Sequence, residues 1–386
     1  MRVAIVHYWL VSMRGGEKVV ENLIDMFPDC EIFTHFVDPD RISGKIRSRP
    51  IRTTFVAKLP FAKRHFRSYL PLMPLALESI DLREFDVVIS SESGPAKGVI
   101  TTPHTMHVCY CHSPMRYLWN MYHDYRESAG MLTAACMGPV FHYMRGWDFE
   151  SAARVDHFVA NSTAVARRIE KYYRRTPDII YPPVDVDSFH VSHDISDEYL
   201  CLGQLVPYKR FDIAVRAFNE LGKPLAVIGD GPEYRKLASI AGPTVRLLGP
   251  QPNDIVREYL SRCRALIFPG EEDFGIVPVE AMASGRPVVA FGRGGVLDTI
   301  VDRVTGVLFD EQSVHGLVDA VRRFEAISGS FVPESLVTHA RRFRAEAFRD
   351  AMGRYIFERY EAFRRQQRGG PHPAQIDVAA RSDAIP

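Results

Sequence analysis

The sequence is short of several things, and each shortage removes a class of protein. Its six cysteines, Cys30, Cys109, Cys111, Cys136, Cys201 and Cys263, form no C-x-x-C pair, so neither a zinc site nor a disulfide framework is indicated. Most sit in apolar segments, as reduced core thiols of a cytosolic protein do. No stretch approaches the roughly 20 apolar residues of a membrane-spanning helix. The opening Met1-Arg-Val-Ala-Ile-Val-His7 turns polar after a few residues and reads as a first strand, not a signal peptide. Net charge is almost absent, at +1, so nothing draws the chain as a whole to nucleic acid. With 25% charged and 46% hydrophobic residues the composition is that of a soluble protein, and 386 residues are comfortable for two domains.

What is present is alternation. Apolar runs of strand length fall at 2–7, 31–33, 86–90, 106–110, 157–160 and 178–181, with helical patterns between several of them. The Pro182-Pro183 pair and the polar stretch after it interrupt the pattern, which restarts with runs at 199–203, 225–228, 245–248 and 265–268. Strands alternating with helices mean parallel sheets covered on both faces, an α/β fold. The expected organisation is a Rossmann-like domain over 1–184, a linker over 185–198 and a second Rossmann-like domain over 199–342. A last helix over 343–366 and a disordered tail over 367–386 follow. Two doubly wound units place ligands at the carboxyl ends of their strands, in a cleft.

The most informative segment is Pro269-Gly-Glu-Glu-Asp-Phe-Gly-Ile-Val-Pro-Val-Glu280. It runs from a buried strand through an acidic loop into a helix that tolerates Pro278 in its first turn. Backbone N–H groups at Phe274, Gly275 and Ile276 then point out of a helix N-terminus and can hold a diphosphate. Glu272 and Glu280 beside a phosphate site would be repulsive unless they bind hydroxyls, and an ionised carboxylate accepts two hydrogen bonds from a vicinal diol. Ribose and sugar hydroxyls are the natural partners.

The Glu272-x7-Glu280 spacing, followed by Ala-Met-Ala-Ser-Gly-Arg-Pro-Val-Val, resembles the signature of retaining glycosyltransferases of family 4. Ordered matches extend the resemblance across roughly residues 1–325: Met13-Arg-Gly-Gly-Glu-Lys18, Cys109-Tyr-Cys-His-Ser-Pro-Met-Arg-Tyr117, Val159-Ala-Asn-Ser162, Tyr181-Pro-Pro-Val184, Val206-Pro-Tyr-Lys-Arg210, Ile228-Gly-Asp-Gly-Pro-Glu233 and Gly292-Arg-Gly-Gly295. The resemblance implies a GT-B fold, two Rossmann-like doubly wound parallel-sheet domains facing a central cleft, with the last helix returning to the first domain. It implies a sugar-nucleotide donor, most similar to the GDP-mannose of bacterial exopolysaccharide and O-antigen mannosyltransferases, and no metal or other cofactor. It also implies a glycan acceptor linked to a polyprenyl diphosphate, and hence a cytoplasmic protein associated peripherally with the inner membrane.

Carried over residue by residue, the resemblance makes His112, Lys209 and Glu272 the catalytic candidates. Lys209 and Arg210 would meet the diphosphate, since Gln204 stands where the family usually has arginine. Gly229 and Asp230 would pass near the nucleobase, though an Asp-Gly pair equally marks a turn with Asp230 capping the next helix. Gly15 and Gly16 resemble the family's acceptor-side glycine loop, which opens a helix onto the cleft, with Gly16 expected at the donor and Gly15 at the acceptor or membrane, and they do not complete a dinucleotide fingerprint. Glu17 and Lys18 fit acceptor contacts or a solvated turn equally well. His112 follows a strand, where an imidazole can bond a sugar hydroxyl, with Arg116 and Tyr117 on the same wall. Ser162 reads as a helix cap. No Asp-x-Asp is read beside the site.

Residues 41–72 hold nine basic residues and no acidic one, among them Lys58, Lys63, Arg64 and Arg67, interleaved with Phe55, Phe61, Phe66 and Tyr69. Such a segment suits an anionic inner leaflet, at about 1 kcal/mol per nearby cation. The plainer reading is a solvated basic face with its aromatics in the core. Competing functions are another donor such as a UDP- or dTDP-sugar, an epimerase or glycogen-synthase-like polymerase of the same fold, and a catalytically silent assembly subunit.

Overall fold

The computed structural model describes residues 1–127 and 129–368, and the expected alternation builds two parallel sheets. The first contains β1 (Val3–His7), β2 (Glu31–Thr34), β3 (Ile51–Thr53), β4 (Val87–Glu92), β5 (Met106–Cys111), β6 (His157–Ala160) and β7 (Asp178–Ile179), in the order β3-β2-β1-β4-β5-β6-β7. The second contains β8 (Tyr199–Leu202), β9 (Leu225–Ile228), β10 (Val245–Gly249), β11 (Leu266–Phe268), β12 (Val288–Phe291) and β13 (Gly306–Phe309), in the order β10-β9-β8-β11-β12-β13. The α/β fold with two doubly wound sheets is therefore as expected. Strands β3, β12 and β13 were not among the expected ones.

Both faces of the second sheet are covered, which is why its strands read as continuous apolar runs rather than alternating ones. Tyr199, Cys201, Val227, Val289 and Phe291 enter one core cluster. Leu200, Ala226, Ile228, Val288 and Ala290, one residue out of step, enter another. Phe218, on the helix Phe211–Leu221, is fully buried in the first cluster. Truncating it to alanine should cost about 3–5 kcal/mol.

The strand orders matter for function. In the first sheet the chain winds outward from β1 toward β3 and returns to β4 on the other side of β1, so the connections leaving β1 and β4 diverge. β8 and β11 stand in the same relation in the second sheet. Each pair opens a crevice outside the carboxyl ends of the strands, where ligands bind in such folds.

The chain divides into two compact units, residues 1–159 with 169–178 and 349 onward, and residues 160–168 with 179–348. This differs from the boundaries read at 184 and 199. The stretch taken for a linker is packed into the second unit: Val186 lies in its core with Phe189 packed against it, and Ser196 N donates to Arg262 O at 2.8 Å. Its polar residues interrupted the apolar pattern without releasing the backbone. The final helix, Ala345–Gln367, is part of the first unit from Arg349 on. There Arg349 Nη1 donates to Asn22 Oδ1 at 2.8 Å, and Tyr355 OH to Asp178 Oδ2 at 2.8 Å. Beyond residue 368 the expected tail lies outside the described residues. Among those residues no helix is long and apolar enough to cross a membrane, and Cys136 alone of the six cysteines is exposed.

Candidate functional site

In the second unit the loops leaving β8 and β11 meet at the switch point. Lys209 Nζ lies 2.8 Å from Glu272 Oε1, an ion pair off the hydrogen-bonding direction, with both side chains mostly covered. The approach is close because the loops carry glycine. Gly229 has φ +144°, and a Cβ there would stand 1.8 Å from Gly203 O, so no other residue fits where β9's loop crosses β8's. A Cβ on Gly203 would in turn stand 2.8 Å from Lys209 Nζ, which places the ammonium over the end of β8.

The acidic loop is held in shape from its far side. Arg168 pairs with Glu271 at 3.2 Å and with Asp273, while Ser162 Oγ donates to Asp273 O. Ser162 Oγ also accepts from Val165 N at 3.1 Å, so it is the helix cap it was read to be. With Glu271 and Asp273 engaged by Arg168, Glu272 is the acid turned to Lys209. Gly295 N donates to Glu272 O at 2.8 Å and fixes the loop backbone.

The helix Ile276–Ala283 begins at Gly275, in the left-handed conformation at φ 89°, with no side-chain cap. Its first amides are therefore not taken by a capping side chain, the arrangement that receives an anion. Phe274 does not face the crevice: it is 3% exposed and packs against Tyr181 and Phe343 at 5.9 and 5.6 Å. Glu280, one turn into the helix, has its carboxyl pushed up to about 7 by burial first and by Asp185 second, against Arg257 and Lys209. Lys209 thus acts on both glutamates of the motif. Asp185 begins Asp185-Val-Asp187, an Asp-x-Asp inside the segment read as a linker, and it corrects the expectation that none accompanies this site.

Two expected donor ligands make local contacts. Arg210 lies at φ 51° and its guanidinium bonds Asp212 at 3.0 and 3.2 Å, so it is not brought to Lys209 and Glu272. Asp230 Oδ1 accepts from Gly231 N at 2.8 Å, the turn-holding role weighed for it.

In the first unit, Gly15 and Gly16 open the helix Gly15–Met26 after β1. A Cβ on Gly16 would meet Tyr8 OH at 3.1 Å, His7 Cε1 at 3.3 Å and His112 Nε2 at 3.7 Å, so the glycine loop lies against the histidine expected to be functional. Glu17 accepts from Arg14 N at 3.0 Å, and Lys18 pairs with Glu21 at 2.8 Å, which gives both a role in the helix start. Arg116 is partly buried. Tyr117 turns inward, its hydroxyl on Met115 Sδ at 2.9 Å and its ring against Phe141, and does not line the wall expected of it.

Beneath these loops lies a buried charge cluster that the sequence did not reveal. Lys97, fully buried, sits 3.0 Å from Glu92 Oε1 and also pairs with Asp148. Asp148 Oδ2 accepts from Trp119 Nε1 at 2.7 Å and Tyr173 OH at 3.0 Å. Burial works against the ammonium, but Asp148 and Glu92 overcome it and hold the lysine charged.

The basic segment does not form one amphipathic helix. It breaks into short pieces at Phe55–Lys58, Ala62–His65 and Phe66–Leu72, with Pro60 in the gap between the first two. Phe55, Tyr69 and Leu70 pack on a small core of Val56, Met73 and Ala76. Arg67 lies over the rings of Trp9 and Phe66 at 5.8 and 5.6 Å. Lys58, Lys63, Arg64 and Arg67 are exposed, and Phe61 stands among them 79% exposed.

Two doubly wound units, each with glycine-rich loops at its switch point, together with a glutamate pair on an uncapped helix start, define the GT-B fold of glycosyltransferases. Residues 13–188 match the family described as Glycosyltransferase Family 4, and residues 196–326 the family described as Glycosyl transferases group 1. Over 227 residues the chain is 28% identical to a D-inositol 3-phosphate glycosyltransferase of Mycobacterium leprae, covering 51% of this chain and 53% of that protein. It is 25% identical over 193 residues to an uncharacterized glycosyltransferase of Methanocaldococcus jannaschii, covering 49% and 54%. The chain thus spans about half the length of these curated relatives. Anabaena HepE in complex with UDP and glucose superposes with a TM-score of 0.68 at 15% identity, covering 92% of this chain and 99% of that one. Sucrose-phosphate synthase from Thermosynechococcus elongatus gives 0.70 at 15% identity, covering 94% and 100%.

Proposed function

We propose that the chain is a retaining glycosyltransferase that moves a hexose from a sugar nucleotide to a glycan acceptor. The observation that carries this reading is Lys209 against Glu272 at the β8/β11 switch point, with Glu280 on the neighbouring helix. The arriving diphosphate draws Lys209 from Glu272 and rests on the first amides after Gly275, which offset the charge that grows on the leaving group. The released Glu272 carboxylate accepts sugar hydroxyls, and Glu280 accepts those of the ribose. His112, in the first unit, bonds a hydroxyl of a bound saccharide. Catalysis on this reading rests on positioning and leaving-group stabilisation and needs no metal ion.

Similarity of the Cys109–Tyr117 and Val206–Arg210 segments to mannosyltransferases supports GDP-mannose as the donor. A UDP-sugar is the second reading, supported by the UDP and glucose bound to HepE. The exposed Lys58, Lys63, Arg64, Arg67 and Phe61 support an acceptor carried on a lipid diphosphate at the inner leaflet, met by a protein that works from the cytoplasmic side. Incubation with radiolabelled GDP-, UDP- and dTDP-sugars and a lipid-linked extract tests the reading. One donor is expected to label the extract, and a folded protein that consumes none of them would refute it.

A further inference from the structure

We propose that the wall formed by Leu118, Trp119, Tyr122, His123, Arg145 and Tyr172 binds a sugar unit that carries an anionic group, a part of the acceptor other than the sugar that reacts. The inference rests on the reading of the chain as an enzyme that transfers to a glycan. All six residues belong to the first unit and line one open pocket of about 380 Å³, within the range of small-molecule sites. Leu118 and Trp119 follow His112 in one segment, and Tyr122 and His123 open the short helix Tyr122–Glu127. Arg145 comes from the helix Met131–Ser151 and Tyr172 from the helix Thr163–Tyr173.

The pocket is built on rings held in place. Trp119 and Tyr172 stack at 4.8 Å and 11°, and Trp119 Nε1 donates to Asp148 Oδ2 at 2.7 Å. Asp148 is fully buried and paired with Lys97, so an indole that turned away would take a donor from a buried carboxylate. Trp119, Tyr122 and Tyr172 are nonetheless only half-buried. Rings held this firmly offer a surface that costs little to order when a ligand arrives. The face of an aromatic ring carries negative charge and the C–H groups of a pyranose face a slight positive one, so a sugar ring lies well against it.

Arg145 sets which sugar. It lies over the Tyr122 ring at 5.1 Å and gives Nη1 to Leu118 O at 3.1 Å, which leaves most of its N–H donors for a ligand. The wall holds no carboxylate and no side-chain amide to accept from a sugar's hydroxyls. A neutral saccharide, whose hydroxyls donate as readily as they accept, would be poorly answered there. An ionised carboxylate or phosphate only accepts, and a guanidinium meets it through two parallel bonds. The rings therefore take the pyranose and Arg145 takes its anionic group.

The test is NMR of the indole N–H signals of the full chain, three in number, with that of Trp119 assigned by its loss in Trp119→Phe. Methyl glucuronide and methyl glucoside 6-phosphate should each move the Trp119 signal to saturation and leave that of buried Trp147 in place. The tighter of the two identifies the anionic group. Methyl glucoside should bind about tenfold more weakly, and Arg145→Met should abolish the difference, as for one charge-assisted contact. If Arg145→Met does not fold, the wild-type preference should still shrink as salt is added. A Trp119 signal that no glycoside moves overturns the proposal. So does methyl glucoside or inorganic phosphate binding as well as the charged glycosides, a preference indifferent to salt, or one that survives in folded Arg145→Met. With a lipid-linked acceptor that is labelled, Arg145→Met should raise the acceptor KM about tenfold while kcat and slow donor hydrolysis hold, and an unchanged acceptor KM would contradict the assignment. Failure to transfer from any sugar nucleotide would instead strike the proposed function, since the binding is read without a donor.

Discussion

At the residue scale, Glu280 is the group whose protonation most directly links structure to binding. Burial and Asp185 raise its carboxyl to about 7, so near neutrality it is only part ionised in the protein alone. If it holds the ribose as a carboxylate, donor binding favours the deprotonated form and pulls the pKa down. Affinity for the sugar nucleotide should then rise as pH increases from 6 through 7 and level off above 8, by up to about tenfold per pH unit below the pKa. Calorimetry with an intact sugar nucleotide checks this, and Glu280→Gln should flatten the dependence. Affinity that falls over the same range would show that the protonated acid is the binding form.

Lys97 makes the opposite case, a charge placed for architecture. Lys97→Met removes the counterion of two buried carboxylates and should destabilise the first unit by about 3–5 kcal/mol, read from denaturant unfolding. Replacing Lys97, Glu92 and Asp148 together by apolar residues should cost less than the single change, because no buried charge is then left unpaired. The cluster escaped the sequence reading because its members are separated by 51 residues and more in part, and nothing in their local patterns marks them as neighbours.

At the element scale, the strands most legible in the sequence were the ones buried on both faces. β8, β9 and β11 fall within a residue or two of their expected ends, since continuous runs such as Leu225-Ala-Val-Ile228 leave little choice. β3 was missed because it is short and carries Arg52 and Thr53 exposed at the sheet edge, inside a segment whose basic character dominated its reading. That segment also shows the limit of composition. Its aromatics looked like one amphipathic face, yet Phe55 and Tyr69 pack inward and leave Phe61 with the cations. Binding to anionic vesicles is therefore expected to rest on Lys58, Lys63, Arg64 and Arg67, and to weaken with salt. Reversing these four charges should release the protein from vesicles and slow transfer to a lipid-linked acceptor, while slow donor hydrolysis continues. Sedimentation indifferent to both lipid charge and these substitutions would make the segment an ordinary solvated face.

At the scale of the whole molecule, the two-sheet α/β architecture could be read from alternation alone, because helical patterns separate several of the apolar runs from the next. The site was legible in kind but not in arrangement. Glu272 and Glu280 announced themselves by spacing, whereas the contact of Lys209 with Glu272 joins loops 63 residues apart, and Arg168 reaches Asp273 over 105. Arg210, adjacent to Lys209 in sequence, was grouped with it by charge, and only the backbone turn at φ 51° shows it directed to Asp212. The domain limits shifted for a related reason: polarity at 185–198 suggested a linker, while buried Val186 anchors its start.

The central claim is that Lys209 stabilises the leaving diphosphate in a transfer that retains configuration. With the donor that labels the acceptor, the anomeric configuration of the product and the turnover of wild type and Lys209→Ala can be measured side by side by NMR. The account predicts a product with the donor's own anomeric configuration and a Lys209→Ala protein, folded as wild type, that turns over about 10- to 100-fold more slowly, as expected for one charge-assisted contact. An inverted product, or undiminished turnover by folded Lys209→Ala, would contradict it.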